Sequence, residues 1–82
     1  MAISKDEFTK HIESVIRNMK GQYIDINAGK VHRELGGYPR PNHNISGCCN
    51  AMRSLMNSND FILSSPPKGN GASLTVRYFK RL

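Results

Sequence analysis

The chain has no tryptophan, only two cysteines, and no apolar stretch near the ~18 residues that mark a membrane-spanning helix. Each absence narrows what the protein does. Without an apolar run, no helix is expected to cross a bilayer, and no segment joins a Lys/Arg face to a Trp- or Phe-rich one as a membrane-surface helix would. The opening MAISKDEF has no charged-then-apolar leader, so the expected location is the cytoplasm, where thiols stay reduced. Cys48 and Cys49 are neighbours, and on a helix their Cβ atoms point about 100° apart, which opposes a mutual disulfide.

Carboxylates are the more informative shortage. The 82 residues hold 12 Lys plus Arg against 6 Asp plus Glu, a net charge of +6. Residues 1–34 carry six basic and five acidic side chains, net +1, whereas residues 35–82 carry six basic ones and only Asp60, net +5. Such an excess attracts polyanions, and its location assigns the anion-facing surface to the second half. A chain this short buries only roughly 60% of its unfolded surface, enough for one domain over residues 1–82 with one core. A walled catalytic pocket does not fit that size, so a binding module is expected rather than an enzyme.

Helical periodicity opens the chain. Ser4 with Glu7 three residues on forms a capping-box pattern, and Phe8, Ile12, Val15, Ile16 and Met19 recur on one face, which predicts a helix over residues 5–20 stopped by Gly21. The β-branched QYIDI suits a short strand. Asn27 caps a second helix, AGKVHREL, with Val31 and Leu35 inward, ended by Gly36 and Gly37. The Gly- and Pro-rich GGYPRPNHN is a turn, and a third helix over residues 43–57 follows, buried through Ile45, one of the two cysteines, Met52, Leu55 and Met56. The tail reads as strand, Pro/Gly loop, strand, with Leu74, Val76 and Tyr78 alternating against Thr75, Arg77 and Phe79. Phe8, Ile12, Ile16, Val31, Leu35, Met52 and Leu55 are the expected core.

The order helix, short strand, helix, turn, helix, two strands resembles the winged-helix form of the helix-turn-helix fold. That resemblance implies an α+β domain of three helices with a short strand and a C-terminal β-hairpin wing. The segments GKVHRELGGYP, CCNAM and PPKGNGASLTVRY also resemble a small bacterial and phage domain associated with restriction-type HNH endonucleases. The catalytic residues of those nucleases do not carry over, since the chain has no ββα-metal motif. What that resemblance implies is a DNA-handling setting.

Three chemical readings compete. His32, His43, Cys48 and Cys49 supply zinc-type ligands, yet adjacent helical cysteines cannot both point at one ion, so no metal or other cofactor is expected. A thiolate paired with His43 lacks a third group to orient the imidazole. PPKGNG lacks the glycine-lysine-hydroxyl ending of a nucleotide loop. The polar arc of the third helix, with His43, Asn44, Ser46, Gly47, Asn50 and Arg53, matches what a groove-reading helix needs, because Asn pairs with adenine and Arg with guanine. Lys30, Arg33, Arg40, Lys68, Arg77, Lys80 and Arg81 are candidates for phosphate contacts, with Gly69 and Gly71 letting a wing loop over residues 65–72 approach the backbone. The expected function is binding of double-stranded DNA; the alternative is a phage or bacterial adaptor that docks the same surface on a nuclease or other nucleic-acid machine.

Overall fold

A computed structural model describes residues 3–36, 44–67, 69 and 71–81. The elements run α1 (Lys5–Arg17), β1 (Tyr23–Asn27), α2 (Ala28–Glu34), α3 (Ile45–Ser54), β2 (Phe61–Ser64) and β3 (Thr75–Phe79). The result is a small α+β fold of three helices and a three-stranded antiparallel sheet in the order β1-β3-β2.

Local chemistry sets the helix boundaries. The Ser4 hydroxyl accepts from the Glu7 N–H, Asp6 and Glu7 sit in the first turn, and Arg17 sits in the last, all favourable to the helix dipole. Phe8, Ile12 and Ile16 form the buried stripe of α1. The helix stops at its cap, Asn18, short of Gly21, because only Met19 adds to its buried stripe beyond that point, and half-buried at that. Asn27 caps α2 through Lys30 N–H, and Asn44 caps α3 through Gly47 N–H. Gly36, at φ +85°, follows α2 in the left-handed region that favours glycine.

Register explains which side chains are inside. Ile24 opposite Tyr78 and Ile26 opposite Val76 share the face toward the helices, where the Tyr78 hydroxyl donates to the Met52 carbonyl at 2.7 Å. Tyr23, Asp25 and Asn27, opposite Phe79, Arg77 and Thr75, share the other face. Leu74, Val76 and Tyr78 are buried in the expected alternation. Phe8, Ile12, Ile16, Val31 and Met52 are buried too, but Leu35 and Leu55 are only half-buried, each at the cap position where its helix ends. Both Cys48 and Cys49 are fully enclosed, against the expectation that one stays half-exposed, because the segment around Gly71 folds down onto Cys49.

Candidate nucleic-acid interface

The α2–α3 pair is held by a histidine. His32 is fully buried, its ring packs against Phe8 at 4.9 Å between centroids, and its Nε2 accepts from the backbone N–H of Asn44 at 2.9 Å. An accepting Nε2 leaves the neutral ring's proton on Nδ1. Asn44 then caps α3 with its Oδ1 and donates from Nδ2 to the Ile3 carbonyl at 2.9 Å. Asn44, expected as a base reader, thus has its side chain engaged at both ends in positioning the helix. Gly47 is explained by the same cap: a Cβ there would lie 2.3 Å from Asn44 Nδ2.

What remains outward on α3 is narrow. Ser46, Asn50 and Ser54 are exposed, one per turn, with Arg53 half-buried beside them. Arg53 donates to the Gly69 carbonyl, which fastens Gly69 to α3. Three further contacts extend that attachment. The Cys49 thiol exchanges hydrogen bonds with the N–H and carbonyl of Gly71, both at 3.4 Å, Gly29 N–H donates to Ala72 O at 3.0 Å, and Ala28 N–H donates to Leu74 O at 2.9 Å. Gly29 has no room for a side chain, since a Cβ would meet that of Ala72 at 2.9 Å. The N–H groups of Gly69 and Gly71, expected to approach phosphate, instead donate to Pro66 O and to Cys49 Sγ.

The basic residues divide into two populations. Lys30 and Arg33 on α2 and Lys80 after β3 are exposed, and among the described residues none of the three forms an ion pair. Arg77 instead makes two hydrogen bonds to Asp25, at 2.8 and 3.1 Å, and its guanidinium lies 4.0 Å over the Tyr23 ring. That guanidinium holds the Asp25 carboxyl below the usual range, mainly through the hydrogen bond. Arg81 pairs with Asp60 at 2.9 Å and donates to the carbonyls of Leu55 and Phe79. His43, Arg40 and Lys68 lie outside the described residues.

Asp60 was not expected to matter to the site, and it does. The carboxylate is buried, its residue 8% exposed, and it accepts from Asn57 N–H and Phe79 N–H, both at 2.9 Å, besides Arg81. Burial by itself would raise its pKa. The Arg81 guanidinium and the two backbone N–H groups outweigh that and hold it below the ordinary carboxylate range. The only signal in the sequence is its solitude, one acid in a basic half.

Of the residues of the zinc reading, His43 lies outside the described residues and the other three do not converge. Cys48 Sγ donates to Ala28 O at 3.5 Å, Cys49 turns to Gly71 and His32 to Asn44. Among the described residues no three His, Cys, Asp or Glu side chains converge on one point. Burial, with the neighbouring Cys49 adding to it, pushes the Cys48 thiol up to about 12, the opposite of an activated nucleophile. Both thiols are expected to react with a disulfide reagent at least ~100-fold more slowly in the native protein than in denaturant. Rapid labelling of either under native conditions would show that the 69–72 segment or α2 does not stay closed over α3.

No helix among the described residues is long and apolar enough to cross a membrane. No protein-family model, no curated protein and no solved structure matches this chain.

Proposed function

We propose that the protein is a double-stranded DNA-binding module of winged-helix type, with α3 entering a groove and the 65–72 loop lying along the backbone. One observation carries the reading. The sole acidic side chain after Glu34 is buried against Arg81, so the side chains from α3 onward offer phosphate no exposed carboxylate. The first turn of α3 likewise has no acid, whereas that of α1 has two. In this reading Asn50, exposed on α3, reads a base edge with Ser46 and Arg53 beside it, and Lys30, Arg33 and Lys80 supply phosphate contacts.

A second reading is favoured by the internal partners of Arg53, Arg77 and Arg81, three of the six basic residues after residue 34. A surface with fewer available cations suits an adaptor docking on an acidic protein, such as a nuclease or another nucleic-acid machine. Anisotropy titrations against random duplex, single strand and RNA at two salt concentrations separate the two. A DNA module binds duplex with a steep salt dependence. Lys30→Ala and Arg33→Ala each lower the slope by about 0.9 and weaken all duplexes alike. Asn50→Ala costs roughly 1–3 kcal/mol on a preferred site and leaves random duplex nearly unchanged. Absence of salt-dependent duplex binding rejects the DNA reading.

A further inference from the structure

The sheet has two edges, and they are protected unequally. Beside β1 runs a groove lined by Ile24, Ile26 and Val31 and rimmed by Asp25, Lys30 and Glu34, charges that discourage another strand from adding there. β2 lies at the opposite edge, and among the described residues it pairs with β3 on one side only. All four of its residues are exposed, and Phe61, Ile62 and Leu63 keep 45%, 41% and 42% of their surface in solvent. The charged and proline guards against edge pairing are missing, since β2 has no lysine and no proline and residues 54–67 have no lysine, arginine or histidine; only its four-residue length and the register shift between Ile62 and Ser64 protect it.

The shape of the exposure limits what covers it. Phe61 lies opposite Arg77, on the outer face, while Ile62 lies opposite Val76, on the helix-facing side. A helix or a flat surface laid on the sheet covers one face and leaves the other wet. A strand added along the edge reaches both, and it also satisfies the row of outward backbone N–H and C=O groups. Charge selects the strand. Asp60, the only ionisable group of residues 54–67, is buried against Arg81, so the edge is neutral in a chain of net charge +6. The cation beside β2, Arg77, 5.8 Å from the Phe61 ring, is already paired with Asp25, so acidic peptide and nucleic acid find little to hold them there. A second copy of this basic protein, repelled elsewhere, approaches without repulsion here.

We infer that β2 is a self-association edge: two copies pair β2 with β2 in antiparallel fashion across a two-fold axis, joining their sheets into one. The arrangement is isologous, since the same strand serves both partners, and it closes at two copies because each β2 has a single free side. A four-residue strand covers much less than the roughly 800 Å² per partner of a standard interface. The dimer is therefore weak and concentration-dependent.

Sedimentation of the full chain, free of nucleic acid, from low micromolar to near millimolar concentration tests this independently of any DNA affinity. The mass is expected to rise toward that of two chains. Leu63→Lys places like charges across the two-fold and is expected to weaken association roughly tenfold or more, with circular dichroism and melting unchanged. Tyr23→Lys, near the β1 edge, is the control and leaves association as in the wild type. A wild type that stays monomeric throughout overturns the inference. So does a Leu63→Lys protein that dimerises as the wild type does, a loss of dimer confined to Tyr23→Lys, or a mass that grows past two chains.

Discussion

Asp60→Ala is expected to lose about 3–5 kcal/mol of folding stability, because it removes a fully buried carboxylate that satisfies several donors at once and leaves the half-buried Arg81 without its counter-charge. Here the loss reaches further than the pair. Two backbone N–H groups, of Asn57 and Phe79, lose their acceptor, and Arg81, which also holds the Leu55 carbonyl at the end of α3, loses its anchor. So small a domain has little more stability than that to lose. The same carboxylate sets an acid limit. Its folded pKa lies below its unfolded value of about 3.9, so its contribution is complete above that value and disappears as pH falls through the folded one. Wild-type stability should drop in that window, and Asp60→Asn, weaker at neutral pH, should show a shallower drop. Asp25 shifts in the same direction, but its pair with Arg77 is partly exposed and screened, and it contributes little. Urea denaturation at neutral and acid pH checks both statements. An Asp60→Ala protein within about 1 kcal/mol of wild type would show that the Arg81 network does not anchor the C-terminal strand.

His32→Ala should be comparably severe, about 3–5 kcal/mol, as the sum of a cavity against Phe8 and an Asn44 N–H left without its acceptor. His32→Gln separates these effects, since a glutamine Oε1 reaches nearly where Nε2 stands and accepts the same hydrogen bond. It should retain most of the stability, within about 1–2 kcal/mol of wild type. The bond joins α2 to the cap of α3, so in the DNA reading His32→Ala also loses site preference before it unfolds, while His32→Gln keeps it. Unfolding by a chelator, or equal damage from both substitutions, would return His32 to the ligand role of the zinc reading.

Helices and strands were legible where side-chain period and caps coincide in a short window. Ser4, Asn27, the Phe8–Ile12–Ile16 stripe and the Leu74–Val76–Tyr78 alternation are local patterns, and each took the expected place. The end of α1 was less legible, because the Met19 spacing extends the apolar pattern past the cap at Asn18. The site fared worse for a physical reason. Whether an arginine faces solvent depends on who stands opposite, and that partner is remote: Arg77 meets Asp25 across the β1–β3 register, and Arg53 meets Gly69 through the return of the loop. Asn44 has the residue type of a base reader and of a helix cap alike, and only the position of Gly47 N–H chooses between them.

By itself the sequence determined the class of three helices and a sheet, the basic second half with its single acid, and the outward placement of Ser46 and Asn50, because composition and periodicity are properties of neighbouring residues. Tertiary structure decided which charges remain available, that Asp60 is buried, that His32 Nε2 accepts from the Asn44 N–H, and that β2 is an edge with exposed apolar side chains. Those are pairings across the fold, where one ångström of approach or one step of register changes the partner, and no local pattern encodes them.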